Sequence, residues 1–327
     1  MPTSTALQHR LVDAPAGALH LVEQGEGPLV LLLHGFPETW RAWRLQLPAI
    51  AAAGFRAVAV DLRGNGGSTG PADVAAYRLE ALVDDLVAVV HGLGETTAVV
   101  VGHDVGSPVA AGAALLRPDV VRAVGLLGVP YSPPGGPRPT EAYAQVGGPD
   151  ADFYVSWFQQ PGVAEADIEA DPRSWLAGFA TGLTGGTQTS PGPDGLFFVP
   201  AGARMSARFP DGPLPAWLGA TDLDEAAAEL VRTGATGALN RYRNADRDWA
   251  DLASHAGAQL PQPALFIGGE LDATTTWMAD AITAQSRTLP GLRSSTVLPG
   301  AGHWLQQERP DEVNRLLTGW LRDLPSM

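Results

Sequence analysis

The chain has 327 residues, 45% of them hydrophobic, and its 35 acidic side chains outnumber 21 basic ones, all arginine, for a net charge of −14. A chain of this size and composition can bury roughly 75% of its unfolded surface, which excludes a disordered or collagen-like polymer and fits one large domain or two. The acidic balance excludes a phosphate-binding face for nucleic acid and a polybasic membrane anchor, no apolar run approaches the roughly 20 residues of a spanning helix, and the absence of cysteine removes disulfides, thiolate nucleophiles and cysteine-held metals. The start, Met1-Pro2-Thr3-Ser4, carries neither a charged leader nor an apolar stretch, so a cytoplasmic location is the expectation.

In chain order, two short apolar segments around Ala14-Pro15-Ala16-Gly17 predict a hairpin at a sheet edge. Residues 29–33, 57–60, 98–101, 123–127 and 264–267 are continuous apolar runs of strand length. Runs without alternation predict strands buried on both faces, as in a parallel sheet covered by helices. Leu79, Leu82, Val83, Leu86 and Val90 keep helical spacing, and 109–116 predicts a second helix before Arg117-Pro118. Strand and helix therefore alternate, the mark of an α/β fold.

This alternation stops near Pro130 and resumes near Pro261. The gap begins with a proline- and glycine-rich loop over 131–149 and holds another over 181–215. Helices are expected over 152–160 and 222–233, the latter N-capped by Thr221 or Asp222. Trp157, Trp175, Trp217 and Trp249 lie inside the gap, a density that argues against a linker and for a helical cap inserted into the core. The expected division is a first core part at 1–130, a cap at 131–248 and a second core part at 249–327.

The chemistry is concentrated after the strand at 98–101, in Gly102-His103-Asp104-Val105-Gly106. A sharp strand-to-helix turn with glycine two before and two after lifts its central side chain clear of the sheet, the pattern of a nucleophile elbow. Aspartate at the centre points away from acyl transfer. A carboxylate with a pKa of roughly 4 is ionised at neutral pH and needs no activating base, and attack on saturated carbon gives an ordinary ester where attack on an acyl group would give an anhydride. Hydrolysis of that ester needs an activated water and a stabilised oxyanion. His303, in Gly300-Ala301-Gly302-His303-Trp304, and Asp272, in Gly269-Glu270-Leu271-Asp272, complete the order nucleophile, acid, histidine, with Glu270 as the weaker alternative acid. Backbone N–H groups of Phe36, in His34-Gly35-Phe36-Pro37-Glu38, and of Val105 are the expected oxyanion donors. His34 and His103 are read as structural, and His9, His20, His91 and His255 as surface or packing residues. Ser107, three residues past the elbow centre, is not expected to act as an esterase nucleophile.

From about Leu11 to Leu321 the chain resembles the epoxide hydrolases of the α/β-hydrolase fold. Phe153-Tyr154-Val155-Ser156-Trp157-Phe158-Gln159-Gln160-Pro161-Gly162-Val163-Ala164-Glu165-Ala166 is similar to that family's first cap-tyrosine region, and Leu239-Asn240-Arg241-Tyr242-Arg243-Asn244 to its second. The resemblance implies that Tyr154 and Tyr242 bind the epoxide oxygen, that Asp104 forms a hydroxyalkyl ester, that His303 with Asp272 activates water, and that no metal or organic cofactor takes part. An alkoxide leaving group suits a phenolic donor with a pKa of roughly 10. A pocket wall is expected from Pro37, Trp157, Phe158 and Trp304, with a small-molecule epoxide as the partner; assembly into a homo-oligomer is left open. One departure stands out. Many relatives carry tryptophan after the nucleophile, where this chain has Val105. In haloalkane dehalogenases that indole holds the departing halide, so a haloalkane or haloacid dehalogenase using the same three residues is the secondary expectation.

Overall fold

The computed structural model describes residues 6–186 and 195–325. Its strands are β1 (Gln8–Ala14), β2 (Gly17–Gln24), β3 (Leu29–Leu33), β4 (Arg56–Val60), β5 (Ala98–His103), β6 (Val121–Leu127), β7 (Ala151–Phe153), β8 (Phe198–Pro200), β9 (Ala264–Gly269) and β10 (Leu292–Leu298). The main sheet runs β1-β2-β4-β3-β5-β6-β9-β10. The β1–β2 hairpin and the β2–β4 pair are antiparallel, and every pair from β4 to β10 is parallel.

Continuous apolar runs serve this sheet because successive side chains enter different cores. Leu29, Leu31 and Leu33 join one cluster with Val58, Val60 and Val100, whereas Val30 and Leu32 join another with Ala57, Ala59, Val99 and Val101. Helices Leu79–Gly92 and Gly106–Leu116 cover the first face; Leu47–Ala52 and Pro310–Arg322 cover the second. Each fully buried Leu or Val contributes roughly 1.5–3 kcal/mol. The edge strand β10 alternates exposed and covered residues, consistent with its one solvated side.

Between β6 and β9 several local expectations change. The stretch expected as a loop over 131–149 contains helix Pro139–Gly147, in which proline occupies the first turn and so costs no intrahelical hydrogen bond. The helix expected from residue 152 starts only at Tyr154, because 151–153 pair with β8 as a short antiparallel ribbon. Helix Ala220–Thr233 is N-capped by Gly219, upstream of the expected Thr221 or Asp222. Within the 181–215 stretch, residues 187–194 lie outside the described residues, while Phe198–Pro200 is a strand. Helix Ala245–Asp251 runs across residue 248.

These inserted elements share an aromatic core, including Phe153, Trp157, Phe158, Trp175, Phe179 and Phe198, that also takes in Phe36 and Trp304 from the loops at the C-terminal ends of the sheet strands. The inserted helices thereby sit over the sheet edge where ligands bind in open α/β folds. Among the described residues no helix is long and apolar enough to cross a membrane.

Candidate active site

Asp104 follows β5 with φ of 48°, the non-glycine positive φ among the described residues. Only crowding on both sides enforces such a conformation. A Cβ on Gly102 would run into the carbonyl of Gly106, and one on Gly106 into the carbonyl of Leu33. Gly35 has the same role across the cleft, since a Cβ there would sit 2.7 Å from Asp104 Oδ2. That bare backbone lets the Phe36 N–H donate to Asp104 Oδ2 at 2.8 Å. Val105 is the N-cap of helix Gly106–Leu116, a position whose N–H takes no intrahelical partner. Ser107 is spent on structure: its Oγ lies 2.8 and 2.9 Å from the carbonyl oxygens of Gly102 and Leu127.

His303 enters from the loop after β10, its own N–H bound to the Leu183 carbonyl at 2.9 Å. Its Nδ1 lies 3.1 Å from Asp272 Oδ2, and its Nε2 points toward Asp104 Oδ1 at 3.9 Å. Asp272 in turn accepts the Thr274 N–H at 3.0 Å. Burial alone would lower the His303 pKa, but the carboxylates of Asp272, Asp104 and Glu38 outweigh it and raise the imidazole to about 9. Burial also opposes ionisation of Asp272, yet His303 and Thr274 hold it below the ordinary range. Glu270 does not reach the histidine; its carboxylate accepts the Gly300 N–H at 2.8 Å.

Tyr154 opens helix Tyr154–Phe158 and Tyr242 closes helix Thr236–Tyr242. Their rings stand 6.3 Å apart at 76°, with the Phe158 ring 5.5 and 5.1 Å from each. Phe36, whose amide holds Asp104, packs edge-on to Tyr242 at 5.6 Å. Burial first and the Asp104 charge second push both phenols well above their usual pKa. Both are therefore neutral phenols that keep their O–H protons.

Residues 28–310 match the family described as alpha/beta hydrolase fold. The chain is 38% identical to Epoxide hydrolase B of Mycobacterium tuberculosis over 97% of its own length and 98% of that protein. Among solved structures, an epoxide hydrolase from an endophytic Streptomyces superposes with a TM-score of 0.94 at 64% identity, covering 97% of this chain and 95% of that one. Epoxide Hydrolase A from Mycobacterium thermoresistibile superposes with a TM-score of 0.91 at 41% identity, covering 98% and 100%. The chain belongs to the epoxide hydrolases of the α/β-hydrolase fold.

In this epoxide hydrolase a second layer of contacts stands behind His303. Glu38, buried behind the loop that carries Phe36, accepts from Gly35 N–H at 3.0 Å and lies 2.9 Å from His103 Nδ1. His103 Nε2 lies 2.9 Å from the His303 carbonyl. These contacts fit the structural role expected of His103 and brace the loop that carries His303. His34 fits its structural reading, since its Nδ1 donates to the Gly35 carbonyl at 2.7 Å and its Nε2 accepts the Leu62 N–H at 3.0 Å.

The expected pocket residues divide. Pro37 and Trp304 border a largely apolar cavity of about 100 Å³ beside the site, together with Phe36, Phe179, Ala180 and Ala238. Asp104 and the two tyrosines do not line that cavity. Phe158 is fully buried against the tyrosines. Trp157 faces a different depression, shared with Asp152, Gln160 and Val163.

Proposed function

We propose that this epoxide hydrolase converts an epoxide and water to a vicinal diol through a covalent ester on Asp104. The observation that carries the reading is the convergence on one carboxylate of an amide N–H on Oδ2 at 2.8 Å and an imidazole toward Oδ1 at 3.9 Å, with two buried phenols whose ionisation the Asp104 charge opposes. A carboxylate oxygen of Asp104 attacks a ring carbon, the carbon–oxygen bond of the ring breaks, and the alkoxide oxygen takes a proton from Tyr154 or Tyr242.

Ester formation removes the Asp104 charge, one of the three that raise His303. The imidazole then sheds its proton more readily, and that proton restores the phenol. Neutral His303, held by Asp272, takes a proton from water, which attacks the ester carbonyl. The N–H groups of Phe36 and Val105 bind the oxyanion; losing one such donor typically costs roughly 3 kcal/mol. Collapse breaks the bond between the carbonyl carbon and the substrate oxygen, the departing alkoxide takes the remaining proton of the attacking water, and the diol leaves with Asp104 regenerated as the carboxylate.

Dehalogenation is not favoured, because Val105 has no side-chain donor for a halide. The test is one turnover in oxygen-18 water followed by peptide mass spectrometry. Label in the Asp104 carboxylate supports the ester; label only in the diol overturns it.

A further inference from the structure

The inserted helices meet the core at the loop of residues 64–66. Gly237, in helix Thr236–Tyr242, packs on Gly64 backbone to backbone, so that a Cβ on Gly237 would sit 2.9 Å from both the Cα and the carbonyl oxygen of Gly64. Arg232, from helix Ala220–Thr233, donates to the Gly66 carbonyl. Between these contacts lies Asn65, 7% exposed, whose side chain bonds in two directions. Its Oδ1 accepts from Arg241 Nη1 at 2.7 Å, and its Nδ2 donates to the Glu38 carbonyl at 3.3 Å.

Both directions lead to the reacting groups. Glu38 closes a turn on the Gly35 carbonyl, and that turn presents the Phe36 N–H to Asp104 Oδ2 at 2.8 Å. Arg241 immediately precedes Tyr242, whose ring packs on the Phe36 ring at 5.6 Å. The helix of Tyr154 is fastened to the same segment, since Gln159 Nε2 donates to the Tyr242 carbonyl at 2.9 Å and Arg243 Nε to the Phe158 carbonyl at 3.0 Å. Asn65 thus joins the segment that organises both phenols to the loop that holds the nucleophile.

Arg241 Nε and Nη2 have no hydrogen-bond partner among the described residues, so the bond to Asn65 is the one that satisfies this buried guanidinium. A guanidinium cannot shed its charge, and a buried one left without a partner is costly. Without Asn65 the end of helix Thr236–Tyr242 shifts to bring the cation toward water, and Tyr242 moves with it. The displacement stays local, because Asn244 Nδ2 still donates to the Val74 carbonyl at 2.6 Å and Asp248 still accepts the Leu79 N–H at 2.9 Å.

We propose that Asn65 is a positioning residue for ring opening, fixing the turn that carries Tyr242 against the Phe36 loop and thereby the placement of the cap phenols relative to Asp104. The proposal rests on the reaction proposed above. The Phe36 loop keeps its own ties, from Gly35 N–H to Glu38 at 3.0 Å and from His34 to the Gly35 carbonyl at 2.7 Å. The amide that serves ester hydrolysis therefore stays in place, and the loss of Asn65 falls on the first half-reaction.

The test is single-turnover quenched flow with intact-mass detection, which follows the Asp104 adduct as it rises and decays. The substrate is whichever of styrene oxide and 1,2-epoxyhexane the parent converts to diol faster. Asn65→Ala is expected to slow the rise on the order of tenfold and to leave the decay unchanged. An unchanged rise, or a rise and decay slowed alike, overturns the proposal. Arg241→Met removes the same bond from the other side, so the double variant should form the ester no more slowly than Asn65→Ala alone; additive losses overturn the link. Should Asn65→Ala not fold, Arg241→Met and Asn65→Asp decide the matter, the aspartate keeping an oxygen for the guanidinium. A slow rise in the first with a near-parental rise in the second supports the proposal, and equal or reversed rates overturn it. Diol formation by the parent without any adduct in a His303→Gln protein would instead strike the proposed function.

Discussion

His303 Nε2 stops 3.9 Å from Asp104 Oδ1, outside hydrogen-bond length, while the other face of the same ring is tied to Asp272 at 3.1 Å. The histidine is thus oriented by one carboxylate and only directed at the other. Replacing His303 with glutamine should preserve ester formation and slow turnover on the order of 10³-fold. Intact-mass measurement should find protein heavier by one substrate; an adduct-free protein would contradict the order of steps.

The same charges make stability depend on pH. His303 has a folded pKa of about 9, above the roughly 6.5 of an unfolded histidine. Its contribution is complete below pH ~6.5 and is lost as pH rises to about 9. Asp272 has a lowered folded pKa, so its contribution is lost only at acid pH and does not overlap this window. Thermal unfolding of the parent and of His303→Gln should therefore converge as pH rises from 6.5 to 9. A difference that stays constant or widens would refute the linkage.

Glu165 ties the two tyrosine helices together, because Arg243 grips its carboxylate while donating to the carbonyl of Phe158. Side-chain exposure of 4% and 11% leaves little water to replace a lost partner. Glu165→Ala is expected to destabilise the protein by about 3 kcal/mol, measured by urea unfolding. A change under about 1 kcal/mol would mean that the pair is solvated.

At the elbow, Gly102→Ala places a methyl group against the carbonyl of Gly106. The expected cost is about 1–3 kcal/mol or more, with activity falling even in molecules that remain folded, because Asp104 is displaced. An alanine variant with parental Tm and turnover would show that the turn relaxes without consequence.

Much of this protein was written in local sequence. Strands β3 to β6 and β9 were legible because burial on both faces demands uninterrupted apolar residues, and the sharp turn at Asp104 because glycine stands two before and two after it. Chain order names Asp272 and His303, whose side chains meet at 3.1 Å, and resemblance names the cap tyrosines. The proline-rich stretch that holds helix Pro139–Gly147 was misread because proline in a first turn is compatible with the helix it seems to forbid. Tertiary structure alone decided that Glu38 reaches His103 across 65 residues and that Arg241 reaches Asn65 across 176. Tertiary structure also put Trp304 beside the cavity and Trp157 elsewhere. A local motif records what the backbone needs from its immediate neighbours, whereas the charge balance of a buried site depends on which distant side chains share its low dielectric.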